Sequence, residues 1–153
     1  MRIVIQRVSE ASVAVDEKIV GQIGNGLLLL VGIAKSDVDS DCSIMAEKIS
    51  KMRIFEDENG KMNFSVLDVN GSALAVSQFT LCADCRRGNR PDYMNAAPPA
   101  EANRLYELFV SEMKNRGIIT EMGVFGADMK VRLLNDGPVT IVLDSEDLKK
   151  SRK

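Results

Sequence analysis

Gly26-Leu27-Leu28-Leu29-Leu30-Val31-Gly32-Ile33-Ala34 is the longest apolar run in the chain, and the pattern changes directly after it. The run is far too short to span a bilayer. It is also too uniform for a strand with one wet face, so residues 27–33 are expected to form a strand covered on both sides. From 37 to 52 the apolar positions Val38, Cys42, Met45, Ile49 and Met52 recur at steps of three and four. That is one face of a helix, with Ser36 or Asp37 placed to cap its start.

Working towards the N-terminus, Ile3, Ile5 and, less cleanly, Val8 alternate with polar residues, as do Val13 and Val15. This is strand text. Asp16-Glu17-Lys18 and Gly24-Asn25-Gly26 read as turns on either side of a short strand through Ile19, Val20 and Ile23. In the other direction, Arg53-Ile54-Phe55 and residues 66–69 are expected as short strands, separated by a turn at 57–61. Residues 73–81 start as a buried strand and end polar. Residues 82–98 are a long polar stretch with three arginines, and a loop of that length in a compact domain is often functional. A second helix is expected over 99–116, with Pro99 in its first turn, a stripe of Leu105, Leu108, Phe109 and Met113, and Gly117 as its C-cap. Strands at 118–122, 129–134 and 139–143 complete the pattern, with Asn135-Asp136-Gly137-Pro138 as a turn between the last two. The expected fold is α/β, a single three-layer domain over 1–145. Its mixed β-sheets form a barrel-like core with two main helices on one side, and 146–153 follow as a polar, flexible tail.

Histidine is absent among the 153 residues. This removes any Ser-His-Asp or Cys-His mechanism built from this chain and any His-based zinc site, leaving positioning and electrostatics as the main catalytic resources. Three cysteines, Cys42, Cys82 and Cys85, are an odd number in a chain that opens without a signal-peptide pattern. A cytoplasmic protein without a disulfide framework is expected. Cys82-x-x-Cys85 has redox or half-zinc spacing, but Arg86-Arg87-Gly88-Asn89-Arg90-Pro91 after it reads as loop rather than helix, so neither a metal nor a cofactor is expected. Net charge is −2, and the charge that matters is clustered. Arg86, Arg87 and Arg90 fall within five positions, and Lys149, Lys150, Arg152 and Lys153 close the sequence. Either cluster can meet phosphate or be solvated surface.

Two segments break their local rules. Ser77-Gln78-Phe79-Thr80 puts polar groups where a central strand should be apolar, and such groups need partners or a ligand. Asn135-Asp136-Gly137-Pro138-Val139-Thr140 places Gly-Pro between two strand patterns, where an X-Pro bond admits the cis form. Together these segments resemble the two signature motifs of the D-aminoacyl-tRNA deacylases of bacteria and eukaryotes. The resemblance extends over Ile5-Gln6-Arg7-Val8, Arg53-Ile54-Phe55-Glu56-Asp57, Arg90-Pro91, Ala97-Pro98-Pro99 and Gly123-Val124-Phe125-Gly126-Ala127-Asp128-Met129.

The resemblance implies a cytoplasmic hydrolase that removes D-amino acids, and glycine, from tRNA as a translation proofreading step, with no cofactor and no membrane partner. It implies a homodimer with active sites at the subunit interface. Ser77, Gln78, Phe79 and Thr80 would line the site around the scissile ester. A cis Gly137-Pro138, braced by Arg7 and supplied across the interface, would reject L-amino acids. Phe125 and Met129 would hold the terminal adenosine, and Arg86, Arg87 and Arg90 are placed to meet tRNA phosphates. Cys82 and Cys85 stand where the family commonly has Tyr and Thr.

The chemistry is compatible with a histidine-free chain. An aminoacyl ester is already activated, so backbone amides, those of Phe79 and Thr80 being candidates, with help from the neighbouring ribose hydroxyl, suffice in principle. Thr80 as nucleophile lacks a base. The rival readings are a non-catalytic tRNA- or nucleotide-binding module using the same pocket, and a redox or zinc protein built on Cys82 and Cys85.

Overall fold

The structure, a computed structural model, describes residues 1–150. Its frame is β1 (Arg2–Val15), a strand long enough to have different neighbours along its two halves. The first half pairs antiparallel with β3 (Gly26–Gly32), and the second with β2 (Lys18–Ile23). The opposite edge of β1 runs along β8 (Lys130–Asp144) for nearly its whole length. β3 continues the sheet in parallel with β6 (Ser72–Ser77), and β6 in parallel with β7 (Thr120–Met122). The order is therefore β2-β1-β3-β6-β7 with β8 on β1. β2 also lies against β6 and β7, so the sheet curls into a nearly closed barrel. A separate hairpin of β4 (Phe55–Glu56) and β5 (Met62–Phe64) lies beside it.

The apolar run is covered on both faces, as its uniformity requires. Leu27, Leu29 and Val31 join Ile3 and Ile5 in the larger core, beneath Met45 and Ile49 of α1 (Asp39–Lys51) and Leu105, Phe109 and Met113 of α2 (Pro99–Asn115). Leu28 points the other way, into a smaller core with Val8, Val13, Ile23, Leu74 and Val76 inside the curled sheet. The unclean alternation at Val8 has a cause. The β1–β8 register shifts between Val8 and Glu10. Even-numbered Val8 and odd-numbered Ala11 and Val13 therefore share one face, as a bulge permits. No helix among the described residues is long and apolar enough to cross a membrane.

Four expectations are corrected. Residues 66–69 form a turn, not a strand. Ser65 N–H donates to the Asp68 carboxylate at 2.8 Å, and Asp68 N–H to the Ser65 hydroxyl at 3.2 Å, local bonds that compete with a ladder. The helix cap is neither Ser36 nor Asp37. α1 starts after Val38, whose N–H donates to Asp41 at 2.8 Å, while Asp37 accepts from Ala34 N–H at 2.7 Å and from the amino group of Met1. Residues 129–134 and 139–143 are not a hairpin, because both pair with β1 and so form one strand, β8. Where a polar tail is expected from Ser145, the chain forms a short helix α3 (Ser145–Lys149), in which Lys149 pairs with the buried Asp41 of α1. Arg152 and Lys153 lie outside the described residues.

Candidate active site

The parallel strands β3 and β6 end side by side at Gly32 and Ser77, and the crevice beyond the carboxyl ends of parallel strands is where such sheets hold ligands. β6 stops four residues short of the expected 81. Gln78 N–H still donates to Val31 carbonyl at 2.8 Å, and the chain then tightens into a 3₁₀ turn (Phe79–Cys82) lying on Gly32. A Cβ at position 32 would stand 2.8 Å from Leu81 Cβ and 3.1 Å from the Gln78 carbonyl oxygen, so this close approach requires glycine. The first bond of the turn runs from Leu81 N–H to Gln78 carbonyl at 3.2 Å. The amides of Phe79 and Thr80 precede it and are not used by the turn. The Gln78 side-chain amide donates to the Thr80 hydroxyl.

Beyond the turn lies a cleft of about 720 Å³. Ser77, Gln78 and Phe79 form one wall. Phe125 to Met129, between β7 and β8, form another, and Tyr93, Met94 and Ala96 to Pro99 with Ala102 form the third. Phe125 is backed by Tyr106, with ring centroids 6.3 Å apart. Tyr106 is fully buried and donates its hydroxyl to the Ala75 carbonyl at 2.7 Å, and burial pushes its ionisation well above the ordinary tyrosine value. The charged lining residues are Lys35 and Asp128, and Asp128 is paired with Lys130 at 3.3 Å.

Gly137 and Pro138 do not line this cleft in the single chain. They occupy a wide bulge in β8. Between the pairs Gln6–Thr140 and Val8–Asn135, the single residue Arg7 of β1 faces residues 136–139. The Gly137–Pro138 peptide is cis, with φ +134° at Gly137. Arg7, 5% exposed, donates from Nε to the Asp136 carbonyl at 2.9 Å and from a terminal nitrogen to the Ile54 carbonyl at 2.8 Å. Asn135 closes the bulge, accepting from Val139 N–H and donating to the Thr140 hydroxyl, both at 2.9 Å.

Arg86, Arg87 and Arg90 sit at the exposed tip of the long loop, whose base is closed by reciprocal Asp84–Asp92 backbone bonds of 2.7 and 2.9 Å. Arg86 is held by Asp84 at 2.6 Å, which lowers the Asp84 carboxyl to about 2. Cys82 is half-buried and its thiol is pushed up by burial, whereas Cys85 is exposed. Among the described residues, no group of three Cys, Asp or Glu side chains converges to hold a metal.

The structure thus brings Ser77, Gln78, Phe79, Phe125 and Met129 together. It sets Thr80 beside them through Gln78, and it groups Arg7 with Gly137 and Pro138 elsewhere. Sequence reasoning missed Lys35, Tyr93, Ala102 and Tyr106. The available signal was the unusual length of the 82–98 segment, which returns to β3 through Lys35 N–H to Asn95 carbonyl at 2.9 Å.

Residues 4–144 match the model of the D-Tyr-tRNA(Tyr) deacylase family. A D-aminoacyl-tRNA deacylase of Thermotoga petrophila is 57% identical over 148 residues, covering 97% of this chain and 99% of that one. One of Dictyoglomus turgidum is 56% identical over 153 residues, covering 100% and 98%. Among solved structures, a c-Myc DNA unwinding element binding protein superposes with a TM-score of 0.89 at 41% identity, covering 94% of this chain and 98% of its own. A probable eukaryotic D-amino acid tRNA deacylase shares the fold at a TM-score of 0.82 and 15% identity. With a match over nearly its whole length and relatives above half identity, this chain belongs to the D-Tyr-tRNA(Tyr) deacylase family.

Proposed function

We propose that this chain hydrolyses the ester between a D-amino acid, or glycine, and the terminal ribose of tRNA, releasing free amino acid and tRNA. Beside the family membership, the observation that supports this reading is the turn at the end of β6. Two amides it does not use, those of Phe79 and Thr80, belong to a turn that begins at the wall of a cleft, with Phe79 in the lining and Thr80 next to it, and that lining contains no strong base. Water adds to the ester carbonyl, and these amides donate to the oxyanion as it forms. The acyl–oxygen bond then breaks, and the proton given up by water passes to the ribose oxygen. The adjacent ribose hydroxyl orients the water. Thr80 does not act as nucleophile, because its hydroxyl is engaged by the Gln78 amide, which removes no proton.

Chiral choice is assigned to Gly137 and Pro138 of a second copy. The bulge that carries them lies on β8, whose exposed Leu133, Leu134 and Val142 supply apolar surface for pairing of two copies. A rigid backbone wall set across the cleft excludes the side chain of an L-amino acid by overlap and accepts glycine, which has none. Phe125 and Met129 grip the terminal adenosine, and the exposed arginines meet phosphates.

The test is hydrolysis of matched D- and L-aminoacyl-tRNA, with a D-aminoacyl substrate lacking the neighbouring ribose hydroxyl as a third arm. Expected are turnover of the D form, near-silence on the L form, much slower reaction without the hydroxyl, and substantial activity in Thr80→Ala. Binding without turnover of any form would instead identify a nucleic-acid-binding module, and an acyl group trapped on Thr80 would refute the RNA-assisted route.

A further inference from the structure

Phe79 and Tyr93 form an edge-to-face pair at the rim of the cleft, with ring centroids 5.0 Å apart and planes at 66°. Both rings are open to water, Phe79 at 56% and Tyr93 at 37% exposure, and Met94 beside them is 72% exposed. Aromatic rings usually bury their area, and this pair fills no core. It is nevertheless held firmly. Met94 N–H donates to the Asp92 carboxylate at 2.7 Å, Ala96 N–H donates to the Tyr93 carbonyl at 3.0 Å, and Ala97 N–H to the Ile33 carbonyl at 3.0 Å. A fixed, uncovered aromatic step is suited to stacking a flat partner. The charge around it identifies which one. Arg87 and Arg90 are on the same loop, and Lys35 lines the cleft beside it, its N–H bonded to the Asn95 carbonyl, so the flat partner is attached to an anionic backbone.

We propose that the Phe79–Tyr93 step stacks the base of the nucleotide preceding the terminal adenosine, so that the single-stranded end of the RNA leaves the cleft over Tyr93. This rests on the reading above for the direction in which the substrate enters. It adds a residue, Tyr93, that reads the presence of a base without reading its identity, since every base has a π-face. Loop phosphate contacts then act one nucleotide further out.

The experiment measures binding of two probes without an aminoacyl group by NMR titration, cytidylyl-adenosine and the same dinucleotide without the cytosine base. Their phosphates are identical, so the ratio of their dissociation constants isolates stacking. The wild-type protein is expected to bind the intact probe about tenfold more tightly. Tyr93→Phe is expected to keep that ratio, and Tyr93→Leu, which keeps apolar bulk without a π-face, to bring it close to one. A wild-type ratio of one overturns the inference, as does an unchanged ratio in Tyr93→Leu or equal weakening of both probes in that variant. Because no ester is involved, these outcomes are independent of whether the chain hydrolyses aminoacyl-tRNA. A protein that shows the ratio but no turnover loses the deacylase reading and keeps the step.

Discussion

The two segments that break local sequence rules end up in opposite circumstances. Ser77, Gln78 and Phe79 leave the buried end of a central parallel strand and line a cleft walled on three sides, with Thr80 in the turn beside it. Asp136 to Val139 bulge from β8, an outer strand with exposed apolar residues, and take no part in lining that cleft. The first segment gets its geometry from the sheet through the Gln78–Val31 bond. The second gets it from one side chain, Arg7, which reaches under the bulge to two carbonyls from separate parts of the chain. Under the proposed function the reactive wall and the selecting wall stand apart in one copy, which leaves the site incomplete, and a second copy completes it.

The sharpest way to break this comparison is complementation. A Cβ at Gly137 would lie 3.0 Å from both the Arg7 guanidinium and Val139 Cγ2, at a φ of +134° that side chains rarely adopt. Gly137→Ala is therefore expected to lose D-aminoacyl-tRNA deacylation or its D/L ratio. Ala97→Trp, which fills the cleft, is expected to be inactive. If the two walls come from different copies, a mixed dimer has one intact site, and random co-assembly should restore about a quarter of the wild-type sites. Absence of recovery in dimers shown to be mixed would place both walls in one chain.

Next in size is Arg7→Ala. Removing a buried guanidinium leaves the Asp136 and Ile54 carbonyls without their donors. The expected loss is about 1–3 kcal/mol for each buried group left unsatisfied, read as a lower denaturant midpoint, together with a fall in the D/L ratio. Arg7→Lys is expected to recover part of the stability but not the ratio, because an ammonium lacks the fork that holds both carbonyls. A normal ratio in a destabilised Arg7→Ala would separate the bulge from selectivity.

A smaller effect is expected at the loop tip. Arg87→Ala should weaken tRNA binding similarly across tRNA species and reduce the slope of log K against log salt by about one unit. Loss confined to one tRNA would show base reading rather than phosphate contact.

The smallest effect concerns the cysteines. Cys42 is fully buried, donates to the Leu105 carbonyl at 3.3 Å, and is pushed up to about 12, chiefly by burial and then by nearby Asp39 and Asp41. Its folded value lies above the unfolded value of about 8.5. The stability tied to its protonated form is thus full below that lower value and fades as pH rises towards 12. Cys42→Ala should show a shallower fall of melting temperature than the wild type across this alkaline window. In native protein, a thiol reagent should label exposed Cys85 while Cys42 reacts only on unfolding. Labelling of Cys42 at the rate of Cys85 would show that the core over α1 opens readily.

Much of this molecule was readable without coordinates, because hydrophobic period is a local property. The uniform run 26–34 specified a doubly covered strand, and the steps of three and four through Cys42, Met45 and Ile49 specified a helix over it. The absence of histidine narrowed the chemistry, and the two motifs identified the family. Pairing partners, by contrast, are set by long-range contact. No local pattern could reveal that 130–134 and 139–144 run along one neighbour, β1, and so make a bulge instead of a hairpin. Nor could it reveal that β6 ends at Ser77 once β3 ends beside it, or that Tyr93 returns from the loop to meet Phe79. The sequence by itself determined the main elements and the class, and it nominated residues for the site. Only tertiary structure decided which of those residues share a cleft, since that depends on register and on how the sheet curls, and both arise from contacts between residues far apart in the chain.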